Sequence, residues 1–248
     1  MLNFNGIDFS DIVIVNDVKR PILPPQKLVA LSIVGRQGSF LFYKQSEAYT
    51  IDVKITIKGQ SYEDLRAKVR TLAERLYTED VAPLIFSDEP DKYIMAVVSD
   101  DSELDEIYTI GQGTIKFYCP DPFWYAVDDD IFTYTGPGAY EFSRKGTADS
   151  FPKIEIQGTN TSGSITISDG NNTMTFTGQL LSGETLVLDS DLITAYILKT
   201  NGDKVPVMDK LSNLDFPVLK KGTNTLSVTV SGGATISQVK IYCKSRWL

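Results

Sequence analysis

Between Tyr49 and Lys58 apolar and polar residues alternate without a break. Tyr49, Ile51, Val53, Ile55 and Ile57 fall on one face of an extended chain, and Thr50, Asp52, Lys54, Thr56 and Lys58 on the other. Successive side chains of a strand point to opposite faces, so this pattern predicts a half-buried strand, which Gly59 ends. After Ser61 the period changes. Leu65, Val69, Leu72, Ala73 and Leu76 recur at helical spacing, and residues 61–77 are predicted to form an amphipathic helix. Ser61 and Asp64 open it like a capping box, with Asp in place of the usual Glu or Gln. Glu63, Arg66, Arg70, Glu74 and Arg75 make its solvated face.

The same alternation returns at residues 114–119, where Ile115, Phe117 and Cys119 oppose Thr114, Lys116 and Tyr118. Cys119-Pro120-Asp121-Pro122 stops that strand, because each proline lacks an N–H and restricts the residue before it. Phe123, Trp124 and Tyr125 follow, then the acidic run Asp128-Asp129-Asp130. Beyond it the chain becomes rich in Thr, Ser, Gly and Asn, and residues 128–150 read as a linker with first turns. This change divides the chain into two predicted domains, 1–135 and 136–248. In the second, short strands recur between turns. Asp169-Gly170-Asn171-Asn172 separates two of them as a hairpin turn, and the regular spacing predicts a β-sandwich.

Two apolar runs near the start, residues 28–34 and 40–43, flank Gly35-Arg36-Gln37-Gly38 and predict a hairpin. Pro21, Pro24 and Pro25 precede it and suit an extended arm. Leu28, Leu31, Phe40, Phe42 and Tyr43 make it unusually apolar for a hairpin, which marks them as candidate subunit-interface residues. Two strands alone are marginal in water, so such a hairpin calls for cover from its own domain or from a neighbour.

Composition narrows the chemistry. The 248 residues are 42% hydrophobic and 23% charged, as in ordinary globular proteins. No run approaches ~18 consecutive apolar residues, so no membrane span is expected. The first residues carry no positive charge and alternate, which suits a strand rather than a signal peptide. A net charge of −8 argues against binding nucleic acid through its phosphates. There is no histidine, which removes Ser-His and Cys-His nucleophiles, and the two cysteines are too few for a zinc site. Asp128-Asp129-Asp130 offers carboxylates to a hard cation but reads better as a solvated linker. Adjacent acid pairs such as Asp88/Glu89 and Asp100/Asp101 do not span a cleft as glycoside hydrolysis requires. Trp124, Tyr125 and Trp247 suit packing better than ligand stacking. No enzyme, cofactor or metal is expected.

Several motifs then carry a resemblance, in order. They are Gly35-Arg36-Gln37-Gly38, the strand 49–58 with Gly59-Gln60-Ser61 and its helix, residues 84–93 (LIFSDEPDKY), residues 113–123 (GTIKFYCPDPF), Asp215-Phe216-Pro217-Val218-Leu219 and Gly222-Thr223-Asn224-Thr225-Leu226. Together they resemble the distal tail proteins of long-tailed, non-contractile bacteriophages and related prophages, over nearly the whole chain. The resemblance implies a mainly β protein of two β-sandwich domains. The N-terminal one would have a single α-helix and a β-hairpin arm; the C-terminal one would be galectin-like or carbohydrate-module-like. It implies a structural subunit of the virion, at the tail tip, made in the bacterial host cytoplasm. Six copies would form a ring hub, single or paired, joining the tail tube protein to the tail-associated (fibre or lysin) protein and to receptor-binding or baseplate proteins. DNA would pass through the lumen without specific binding. The other reading of the residues is a monomeric glycan-binding module using the C-terminal sandwich.

Overall fold

The structure is a computed structural model and describes residues 2–99 and 103–248. The chain divides into two units, one ending at Val127 and the other spanning Asp128–Trp247. The Asp100/Asp101 pair lies outside the described residues.

The first unit opens with β1 (Leu2–Phe4), β2 (Ile7–Asp8) and β3 (Val13–Lys19). A hairpin follows, β4 (Gln26–Ser32) and β5 (Ser39–Ser46), then β6 (Tyr49–Lys58) and the helix α1 (Tyr62–Leu76). The unit ends with β7 (Ala82–Phe86), β8 (Lys92–Val98), β9 (Glu103–Ile107), β10 (Ile110–Cys119) and β11 (Trp124–Ala126). Its main sheet has the order β2-β1-β7-β8-β10-β6-β3, with β9 on β10 and β11 on β8. Phe4 on β1 meets Phe117 on β10 at 5.2 Å between ring centroids, although two strands separate them along the hydrogen-bonded path. The sheet therefore bends back around its core, as the right-handed twist of strands allows.

The apolar faces of β6 and β10 are where the alternation puts them. Tyr49, Ile51, Val53, Ile55 and Ile57 are buried, and opposite them on β10 stand Cys119, Phe117 and Ile115, also buried. α1 caps this layer with Leu65, Leu72 and Leu76. Its start is built by the sequence. Ser61 Oγ accepts the Asp64 N–H at 3.2 Å, and the Asp64 carboxylate accepts the Gln60 N–H at 2.8 Å. The turn into the helix requires Gly59, because a Cβ there would stand 2.7 Å from the Leu65 nitrogen and the Ser61 oxygen.

The second unit is a sandwich of a six-stranded and a four-stranded sheet. The first holds β12 (Asp130–Tyr134), β14 (Lys153–Thr159), β17 (Thr185–Asp189), β18 (Thr194–Leu198), β19 (Lys204–Pro206) and β21 (Thr235–Cys243), in the order β12-β21-β14-β17-β18-β19. The second holds β13 (Gly138–Arg144), β15 (Ser164–Ser168), β16 (Thr173–Phe176) and β20 (Gly222–Ser231), in the order β13-β20-β15-β16. Residues 130–144 are thus not the linker that their composition suggests. Gly136 and Gly138 bracket a turn between two strands, one in each sheet, and Tyr134 stacks on Tyr140 at 4.4 Å. Asp169 Oδ1 accepts the N–H groups of Asn171 and Asn172, so Asp169-Gly170-Asn171-Asn172 is the turn between β15 and β16.

Arg144 is a buried cation, 5% exposed, that no motif announces. Its guanidinium donates to the carbonyls of Lys220 (2.9 Å), Lys145 (2.8 Å), Leu219 (3.3 Å) and Ala148, which ties two loops to the end of β13. Burial lowers its affinity for a proton from the ordinary arginine value.

Two measurements follow from these cores. Leu65 is fully buried, so Leu65→Ala is expected to destabilise the first unit by ~2–5 kcal/mol, read from urea unfolding. Cys119 and Cys243 are free and fully buried, and burial pushes both thiols up from 9.0 to about 12. In the unfolded chain the thiols ionise near their ordinary value, while the folded chain keeps their protons. This contribution to stability is complete below pH 9.0 and is lost as pH rises toward about 12. The unfolding midpoint is expected to fall through that window, and both thiols should react with a disulfide reagent only after denaturation.

Candidate assembly interface

β3 and β6 are neighbours in the main sheet, paired from Val13↔Ile57 to Lys19↔Asp52. The hairpin β4–β5 is inserted between them in sequence, so it projects from the end of a fixed pair of strands. Its root is well held. Arg20, the residue after β3, forms a two-pronged ion pair with Asp88 (2.7 and 2.9 Å), and its guanidinium lies 4.1 Å from the Phe86 ring centroid and 5.5 Å from that of Trp124. Arg20 in turn holds the Asp88 carboxyl below the usual carboxylate range. Glu47 donates its N–H to the Pro25 carbonyl at 2.8 Å, and the Gln26 side chain bonds the Pro24 carbonyl and Ser46.

Beyond the root, β4 and β5 form a two-stranded sheet of their own. Val29 faces Tyr43 and Leu31 faces Phe40, while Leu28 and Leu41 belong to the other side of the ladder. Both sides of the hairpin are therefore apolar. The structure brings all five residues predicted from sequence onto this arm, and all are exposed: Leu28, Leu31, Phe40, Phe42 and Tyr43. Ile22, Leu23, Ile33, Val34 and Leu41 share that exposure. Leu41 could have been found from the unbroken run 40–43. Ile22 and Leu23 were hidden among prolines. The register slips between Val29 and Ala30, which leaves Phe42 as the extra residue of a β-bulge.

The other candidate groups are occupied by structural roles. Asp130 accepts from Ser245 Oγ at 3.2 Å and pairs with Lys145 Nζ at 3.3 Å. Trp124 packs against Phe86, and Tyr125 stacks on Tyr93 at 5.7 Å. Among the described residues no group of three His, Cys, Asp or Glu side chains is placed to hold a metal ion. A polar cleft of about 480 Å³ lies on the outward face of β3, β6, β10 and β9. Lys19, Lys54 and Lys116 line it with Asp52 and Asp105, a mixture of signs without a convergent charge.

A family model described as the phage tail protein RIFT-related domain matches residues 7–119, and one for the siphovirus-type tail component, C-terminal domain, matches residues 145–247. The fold is similar to the crystal structure of the Dit protein of phage SPP1, described as a paradigm of the hub adsorption apparatus in phages that infect Gram-positive bacteria. The TM-score is 0.81 at 19% identity, over 100% of this chain and 98% of that one. A chain of the phage P2 baseplate, in its activated conformation with Ca, is similar at a TM-score of 0.52 and 9% identity, over 95% and 91% of the two chains. No curated protein sequence matches the chain. The two family domains, on a fold shared with a phage distal tail protein over the whole chain, show that this chain belongs to the siphophage distal tail protein family and is a component of a phage tail.

Proposed function

We propose that this chain forms a homohexameric ring at the distal tip of a phage or prophage tail. The N-terminal domain, 1–135 in the sequence reading, makes the ring, and the C-terminal domain, 136–248 in that reading, is turned to other tail proteins. The ring joins the tail tube protein to the tail-associated protein and to receptor-binding or baseplate proteins, and DNA crosses its lumen. Assembly follows synthesis in the host cytoplasm.

The observation that carries this reading is the arm. Leu28, Leu31, Phe40, Phe42 and Tyr43 are exposed on a sheet that no third strand joins among the described residues. A contiguous cluster of exposed large apolar side chains marks an interaction surface. A ring needs a heterologous contact, in which one patch meets a different patch of the next copy, and an arm that projects from its own sheet supplies one half. The net charge of −8 suits a lumen that nucleic acid crosses without adhering. The buried aromatic and ionic groups serve packing, which supports a structural role rather than catalysis.

Light scattering on the purified protein is expected to give the mass of six copies, and negative-stain images to show rings. Replacing residues 28–43 by a short Gly-Ser link should yield a folded monomer. A native protein that stays monomeric at all concentrations would favour the glycan-binding module instead. Rings that persist without the arm would place the contact elsewhere.

A further inference from the structure

We infer that Phe42 of one copy seats in an apolar slit between α1 and β9 of the next copy, a contact that rests on the ring reading above. The slit has a volume of about 130 Å³ and is lined by Val69, Leu72, Ala73 and Leu76 of α1 and by Leu104 of β9, with Ile55 of β6 and Thr114 and Ile115 of β10 at its base. No residue of the arm lines it. Its origin lies in β10. Along the core-facing positions of that strand, Ile115 and Phe117 are preceded by Gly113 and Gly111, which stand opposite Ile55 and Ile57. A Cβ on Gly111 would come within 3.1 Å of the Leu104 side chain, so Leu104 fills the space above the glycine instead of reaching across to the helix. The apolar layer thins there, and Ala73 is left exposed at the rim. An ion pair between Arg66 and Glu106 spans α1 and β9.

Size and chemistry select the occupant. A cavity of ~150 Å³ lined by Leu, Ile and Phe, in an unrelated protein, takes one benzene molecule. A slit of about 130 Å³ lined by Leu, Ile, Val and Ala with a single Thr is therefore scaled to one phenyl ring. The arm offers two. Phe40 is engaged within its own copy, with Leu31 opposite and the Arg36 guanidinium 4.1 Å from its ring centroid. Phe42 is the bulged residue, has no cross-strand partner and is 66% exposed. Bulges re-aim side chains, and here the bulge presents the free ring. The arm carries Lys27, Arg36 and Lys44 and no acid, so like charges disfavour an arm-to-arm contact. β9 offers the Asp105 carboxylate next to Leu104, while that of Glu106 is already paired with Arg66.

A cysteine pair tests the contact. Phe42→Cys with Ala73→Cys is oxidised and run on a non-reducing denaturing gel. Cys119 and Cys243 are fully buried and stay out of the reaction. The double variant is expected to give a ladder of covalent multimers ending at six, and neither single variant should do so. Phe42→Ala should also raise the concentration at which rings dissociate by about tenfold or more, as loss of a buried aromatic anchor does. Rings seen by light scattering, with no ladder from the double variant and no shift from Phe42→Ala, overturn this contact and leave the ring standing. A wild-type protein that forms no rings overturns both.

Discussion

Ten consecutive residue pairs join β6 to β10, from Cys119↔Tyr49 to Ile110↔Lys58, and the first unit depends on that ladder. Its alternation sends Ile51, Val53, Ile55, Ile57, Ile115 and Phe117 to one side, where the helix and the returning half of the sheet cover them. Burying such a side chain contributes ~1.5–3 kcal/mol. The same alternation leaves Asp52, Lys54, Thr114 and Lys116 outward. A one-residue slip would exchange the two faces entirely, so the register is strongly specified. β3 joins the far edge of β6, and its pairing determines where the arm leaves the body.

The arm obeys a different balance. A two-stranded sheet has no second layer to cover its faces, and hairpins of this kind are marginal alone. Here both faces carry large apolar side chains into solvent. The root is held by Arg20, Asp88, Phe86 and Trp124, which fix its origin without covering its length. Such an element is stable when another surface covers it. The thin end of the core layer, at Gly111 and Gly113, is the complementary defect: a body that leaves a hole where the arm carries a knob.

The second unit completes more of its own contacts. Phe132 and Phe142 lie 4.7 Å apart and Tyr134 stacks on Tyr140, so the sandwich is closed along β12 and β13 by aromatic pairs. β16 is met by Leu211 and Ser212, which cover an edge that would otherwise expose unpaired backbone. Arg144 gathers four carbonyls in a buried setting, where unpaired acceptors would cost stability.

Local patterns were legible in the sequence because their causes are local. The period-2 run at Tyr49–Lys58, the cap at Ser61, the proline stop after Cys119 and the turn at Asp169 each depend on residues within a few positions of one another. The apolar arm was legible for the same reason, and its five predicted residues are exposed, on both faces of the hairpin. Residues 130–144 were misread, because Gly136-Pro137-Gly138 has the same composition in a turn between paired strands as in a linker. What only the tertiary structure decided is non-local: that β3 lies beside β6, that β12 and β13 belong to opposite sheets, that a register slip frees Phe42, and that two glycines on β10 open a slit beneath α1. Pairing between distant strands and the space left among side chains are set by the whole chain at once, and no single window of sequence contains them.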